Sequence, residues 1–237
     1  RWLDWTLKAG QLELGFDLTG LKFPVLLKNT TLDLQVGAGT DDIHVSDTNV
    51  THPPWASSSL TDTYFEAMAY DASNWFGSAA RFLNVTIANA ATIDVAYLTL
   101  QAAAGASGTG GLSALWGEAA DNPGTFTDIT DYNNRVRTTA KVDWDSIGEW
   151  LTDSNYNSAS LVSIIQEIVN RAGWASGNAL VIFWEDDGSP GANNRRIGKS
   201  YDASAANAPK LHVEYTAGGV AAQAAYYYRL YGKGTNA

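Results

Sequence analysis

Cysteine is absent from the 237-residue chain, and only one methionine and three histidines are present. A domain of this length can bury enough surface to fold without disulfides, so the missing cysteine fits a bacterial, archaeal or viral surface protein as well as a cytosolic one. The histidines His44, His52 and His212 share no metal-ligand spacing. No apolar run approaches the roughly 18 residues that a membrane span requires. Cations are scarce: Lys and Arg number 15 against 25 Asp and Glu, a formal charge of -10. That balance argues against nucleic acid or an anionic membrane as the main partner, since both need clustered positive charge. Nucleophile-elbow, phosphate-loop and zinc-helix motifs are also missing. Carboxylates are plentiful, but no spacing among them is distinctive and most read as solvated turn acids, so the expectation is a protein without catalytic residues. A chain that begins at Arg1, with Met68 its only methionine, reads as one that has lost its start by processing or trimming.

What is present is an apolar, aromatic-rich chain: 45% hydrophobic, 17% charged, with nine Trp and eleven Tyr. Its length suits one large β-sandwich, or an average one with an accessory segment. Residues 158–184 carry the clearest pattern. Leu161, Ile164, Ile165 and Ile168 fall at the i, i+3, i+4, i+7 spacing of an amphipathic helix, expected over about 160–172. Ser158 or Ser160 can cap its start and Gly173 can end it, while Glu167 can pair with Arg171 at i+4. The run Ala179–Trp184 then reads as a strand covered on both faces.

Elsewhere short alternating segments predict strands. A hairpin turning at Ala9–Gly10 opens the chain, and further strands are expected near 23–27, 32–36, 43–45, 81–87, 92–101, 112–118, 137–144, 195–201 and 211–215. In residues 92–101 the alternation of Ile93, Val95 and Tyr97 changes phase to Leu98 and Leu100, which suggests a bulge or two-sided burial. Residues 147–151 read as a short helix or turn. Three units follow: an N-terminal β segment (1–55) that adds strands or contacts a neighbour, a β-sandwich (56–216), and a Tyr-rich C-terminal tail (217–237).

Trp55 and Trp75, placed in loops, are candidates for stacking on a sugar ring, whereas Trp144 and Trp184 belong to the core. Trp2 and Trp5 at one end, and Tyr226, Tyr228 and Tyr231 at the other, are candidates for contacts between subunits. The tail reads equally as a last strand on the chain's own first block or as an interface strand. Asp186 and Asp187, in an acidic loop with Gly188, offer hard oxygen ligands to Ca2+, the one ion the sequence suggests; no other cofactor is expected. Asn29, Asn49 and Asn84 begin triplets of glycosylation-acceptor form.

From about residue 60 to 215 several ordered motifs resemble disaggregatase-related, or DNRLRE-type, surface β-sandwich domains. They are Ala80–Ile87, Ala91–Leu98, Trp116–Glu118, Arg137–Trp144, Ile164–Arg171 with Gly173–Trp174, and Ala208–Leu211. Leu21–Leu27 and Asp41–Ile43 also resemble the opening of concanavalin-like surface domains. The first resemblance implies an all-β, jelly-roll-like sandwich similar to carbohydrate-binding modules, and it transfers no catalytic residue. Together these readings predict a non-catalytic structural subunit of an extracellular, cell or virion surface that self-assembles as a homo-oligomer or polymer through its terminal segments. The alternative is a carbohydrate-binding or adhesion module with glycan partners.

Overall fold

The computed structural model describes residues 4–8, 11–15, 29–49, 51–106 and 108–217. Strands β1 (Asp4–Lys8) and β2 (Gln11–Gly15) pair antiparallel with Lys8 opposite Gln11, the pairing that the expected hairpin requires. They form a two-stranded sheet of their own. All pairings among the described strands are antiparallel. A four-stranded sheet runs in the order β11 (Asn155–Asn157), β8 (Thr92–Gln101), β14 (Lys210–Thr216), β3 (Asn29–Gln35). The larger sheet runs β10 (Arg137–Asp143), β9 (Ser113–Glu118), β12 (Leu180–Asp186), β7 (Asn74–Phe82), β4 (Asp42–Asp47), β5 (Ser57–Ser59). Strand β6 (Tyr64–Asp71) pairs with β13 (Arg196–Lys199) through residues 64–67, and from Met68, whose φ is 79°, it pairs with β7 instead. Both partners belong to the same eight-stranded sheet, and an isolated bridge between Gly198 of β13 and Ala102, just after β8, brings that sheet beside the small one. From the first sequence block, β3 belongs to the small sheet and β4 to the large one.

The two sheets enclose one main core. Leu180, Ile182 and Trp184 of β12 face Leu98, Leu100, Leu211 and Val213 of the small sheet. The odd residues of β12, Val181 and Phe183, enter a second cluster on the opposite face with Ile43, Val45, Trp55, Trp75, Phe126 and Tyr132. The connection between β9 and β10, with the short helix α1 (Ile129–Asn134), covers that outer face. Every residue of β12 is therefore buried, which the uninterrupted apolar run predicts as far as Trp184. The strand extends two residues beyond Trp184, carrying Glu185 and Asp186 into the interior.

Helix α2 (Val162–Val169) lies within the predicted span and is shorter than it. Its buried face is Ile164, Ile165, Ile168 and Val169, so the helical spacing does identify the packed side. Its termini differ from expectation. Ser158 bonds β8 instead, accepting the Leu98 amide at 3.0 Å, and Ser160 lies 3.5 Å from the Val162 amide, too long to cap it. At the other end Asn89 donates to the carbonyls of Val169 and Arg171, at 2.9 and 2.8 Å. Gly173 is needed for a different reason: a Cβ there would lie 2.0 Å from the Asp121 carboxylate. Arg171 pairs with that same Asp121, not with Glu167.

Glu167 instead accepts the amides of Thr139 and Ala140, at 2.9 and 2.7 Å, where the register of β10 shifts. Its neighbour Gln166 accepts the Ile93 amide at 3.0 Å and donates to the Ala91 carbonyl at 2.8 Å. Adjacent side chains of one helix thereby tie the large sheet to the start of the small one. Residues 83–88 are not strand, and 147–151 form no helix: Trp150 makes an isolated bridge with Ala106. Among the described residues no helix is long and apolar enough to cross a membrane.

Gly117 sits under α2, where a Cβ would meet Ile168 at 2.7 Å and Ile164 at 2.8 Å. Gly117→Val is expected to cost about 1–3 kcal/mol by overpacking. A lower urea midpoint at unchanged slope would show this; an unchanged midpoint would mean that the helix is not seated on β9.

Candidate functional site

The outward residues of the small sheet stand in rows set by strand register. Asp33, His212 and Tyr97 are direct cross-strand neighbours. The next row is Gln35, Lys210, Thr99 and Asn157. Between these rows lies a recess of about 350 Å³, lined by Asp33, Gln35, Tyr97, Thr99, Lys210 and His212. That volume is at the lower end for small-molecule sites.

Local sequence explains why these side chains face out. In β14 the apolar residues Leu211, Val213 and Tyr215 take the inner face, which leaves Lys210, His212 and Glu214 outside. In β8 the register shifts between Val95, opposite Glu214, and Ile93, opposite Tyr215. The extra residue Asp94 is a bulge that reverses the alternation, so Ala96, Leu98 and Leu100 are buried and Tyr97 and Thr99 turn outward.

The rings of Tyr97 and His212 stack with centroids 4.7 Å apart and planes 22° apart, making one aromatic wall. His212 Nδ1 bonds the Asp33 carboxylate at 2.7 Å, and its Nε2 lies 3.5 Å from Glu214. Thr99 donates to Asn157 at 2.9 Å. Chemically the recess is a polar surface with an aromatic side, a fixed imidazole and one lysine ammonium at the rim. These residues suit binding a polyhydroxylated ring.

The two tryptophans expected to stack on sugar are elsewhere, and both are inside the protein. Trp55 is 2% exposed and Trp75 5% exposed. Asn133 grips the Trp55 backbone from both sides, accepting its amide and donating to its carbonyl at 2.9 Å each. The Trp55 indole N–H donates to Glu185 at 3.1 Å, and His52 stacks over the ring at 4.0 Å. Gly77 makes room, since a Cβ there would lie 2.9 Å from the indole. Trp75 donates to the Ser189 carbonyl within the second core cluster. Both side chains are anchors of the outer face of the large sheet. Trp184 is fully buried, as expected, and Trp144 packs half-buried against it.

Glu185 is the charged centre of that anchor. One carboxylate oxygen accepts from Arg137 at 2.6 Å, Tyr132 at 2.7 Å and Trp55 at 3.1 Å. Arg137 also lies 3.6 Å over the Phe183 ring. Burial, then the Glu185 charge, raises the Tyr132 phenol well above its ordinary range, so it stays a donor. Burial opposes the charge on Arg137, but Glu185 outweighs it and the net direction is up.

Asp186 and Asp187 do not converge on a common ligand position. Asp186 is buried and accepts the Gly188 and Ser189 amides and the His52 imidazole. Asp187 points to Lys141 at 2.5 Å. Burial works against the charge on His52, yet Asp186 and the Asn49 carbonyl prevail and its pKa is raised. Among the described residues no group of three or more His, Cys, Asp or Glu is arranged to hold a metal. Asn29, Asn49 and Asn84 are all exposed. Trp2, Tyr226, Tyr228 and Tyr231 lie outside the described residues, and Trp5 lies in β1 opposite Leu14.

No protein-family model matches the chain, and no curated protein is significantly similar to it.

Replacing Glu185 by Leu strands a buried arginine. The expected loss is about 3–5 kcal/mol, measured by chemical denaturation. Adding Arg137→Leu should restore part of it, whereas equal and additive losses would mean that the two groups are not coupled.

Proposed function

We propose that the protein is a non-catalytic carbohydrate-binding module of a cell or virion surface, built on a jelly-roll-like sandwich, and that its ligand is an acidic glycan. The observation that carries this reading is Lys210. Among the described side chains, Arg81, Arg135, Arg137, Lys141, Arg171, Arg195 and Lys199 each face a carboxylate. Arg196 is wrapped by carbonyl oxygens, among them those of Gly148, Asn194 and Gly108. Lys210 has neither kind of partner among the described residues, and it lines the recess. An unpaired cation beside an aromatic wall, in a chain of net charge -10, suits a sugar ring bearing a carboxylate or sulfate. The rows of outward polar groups continue across the sheet to Asn157, so an extended chain of sugars fits better than a single one. The ordered motifs that resemble DNRLRE-type surface domains support the same class, as do three exposed glycosylation-acceptor asparagines for an extracellular setting.

A second reading, a self-assembling filament, fibre or shell subunit, draws support from β3. This seven-residue strand ends its sheet, and its outer edge has no partner among the described residues. Edges of this kind accept a strand from another chain. Polymers seen by electron microscopy of the intact protein would favour it, and a monodisperse monomer would remove it.

Titration calorimetry with polygalacturonate, a sulfated polysaccharide and a neutral galactan tests the first reading and separates the two anionic groups. Tyr97→Ala and Lys210→Met are each expected to weaken binding of the preferred polymer about tenfold, with thermal stability nearly unchanged. Affinity should also fall with salt. Absence of binding to all three overturns the proposal, and release of reducing ends would replace it with hydrolysis.

A further inference from the structure

The turn that links β13 to β14, residues 200–209, is fastened at two places. At its start the Tyr201 amide donates to Asp42 at 2.7 Å, and Ser200 donates to the Asp62 carbonyl at 2.6 Å. At its end Gln35 donates to the carbonyls of Ala206 and Ala208, at 3.0 and 3.1 Å, and the Val36 amide donates to Pro209. Gln35 and the next residue, Lys210, line the recess. The turn thus runs from a buried carboxyl to the edge of the candidate site.

That carboxyl lies among like charges. Asp42 is 3% exposed. Asp41 precedes it, and Asp202 closes over Gly39, where a Cβ would come within 2.6 Å of its carboxylate. The nearby cation Arg81 is already held by Asp41 at 2.7 Å and by the Pro123 carbonyl at 2.8 Å. From the other elements packed around it, His44, Asp62 and Tyr64 share a small cleft with Asp42. His44 lies between carboxylates of its own, 3.5 Å from Asp62 and 3.3 Å from Glu66. No ion pair is made by Asp42 among the described residues.

We propose that Asp42 is a pH-operated latch. Neutral, it holds the 200–209 turn against β4; ionised, it is repelled by Asp41 and Asp202 and lets the turn loosen, and the Gln35 and Lys210 edge of the recess with it. Burial first, then the charges of Asp202 and Asp41, push its pKa up to about 7 against the pull of the Tyr201 amide. The folded state therefore holds this proton more tightly than the unfolded chain, where the ordinary value is 3.8. The stability it contributes is complete below pH of about 4 and declines as pH rises through 7. The latch is closed in mild acid and open in mild alkali. Only its consequence for ligand rests on the glycan reading.

Amide hydrogen exchange on the intact protein at pH 6 and pH 8.5, corrected for intrinsic rates, tests the latch directly. Protection at Tyr201, Ser204 and Asn207 should drop about tenfold or more in the wild type and stay level in Asp42→Asn, whose amide oxygen can still accept from Tyr201. Equal protection at both pH values, or the same drop in Asp42→Asn, overturns the proposal. The carboxyl carbon shift of Asp42 in the unmutated protein gives a second measure: a midpoint near 7 supports the latch, and one near 4 sinks it. For the consequence, affinity for the preferred acidic glycan should weaken from pH 6 to 8.5 in the wild type and not in Asp42→Asn. Failure to bind at either pH would remove the site reading, while exchange and titration still decide the latch.

Discussion

Strand β12 has no solvent face, and most of the architecture follows from that. Its even residues fill the space between the sheets and its odd residues need a second cover on the outside. A strand of this kind brings its last two side chains, both carboxylates, into the interior. Each buried charge then demands partners, since an unpaired one costs several kcal/mol even after relaxation. The chain supplies them from distant segments. Tyr132 comes from the β9–β10 connection and Arg137 from strand β10, and Trp55 and His52 come from the loop before β5. The outer cover is thus held by a hydrogen-bonded centre as well as by apolar contact. Once it is in place, neither face of the large sheet's centre is available to a ligand.

Much of this frame is legible in the residues themselves. The 3.6-residue spacing of Leu161 to Ile168 and the continuous run at 179–184 identify a buried helix face and a two-sided strand because burial acts directly on apolar pattern. The hairpin at Ala9–Gly10 is equally local. The helix ends were not legible, because the groups that satisfy them come from far away: Asn89 reaches the last carbonyls of α2, and Gln166 and Glu167 serve sheet amides. Helix α1 has an Asp128 cap whose carboxylate accepts the amides of Thr130 and Asp131, a signal present in the sequence but attached to only six helical residues. Strand β6 also escaped, since its burial switches at Met68 as the strand changes neighbours, and no single period describes it.

The site was harder for one specific reason. Aromatic residues in loops suggest exposure, yet Trp75 lies in strand β7 and not in a loop, and both it and Trp55 are buried and hydrogen-bonded, to Ser189 and Glu185, through contacts that no local pattern announces. Tyr97 stands in sequence in one alternation with Ile93 and Val95, which does not by itself say which face it takes. The break in phase before Leu98 does carry the information, because a bulge at Asp94 sends Tyr97 to the opposite face from Leu98 and Leu100. The phase of Leu98 and Leu100 places Tyr97 and Thr99 outward, beside Lys210 and His212 of the pairing strand.

The location of the recess then follows from what the rest of the fold has used. The large sheet is covered on its outside by the α1 connection and on its inside by the small sheet, and α2 spans from β10 to the start of β8. The outer face of the small sheet is left, and alternation stocks it with polar residues. Its edge is continuous with the turn that ends on Lys210, and that turn is tied back to β4, a strand of the other sheet, through Asp42. Among the described residues, the outer face of the small sheet, which carries the unpaired Lys210, is therefore joined through this turn to the buried carboxyl of Asp42, whose pKa burial and like charges push up to about 7. The proposed binding edge and the proposed latch meet in one ten-residue turn because that turn is the covalent link between β13 of the large sheet and β14 of the small one.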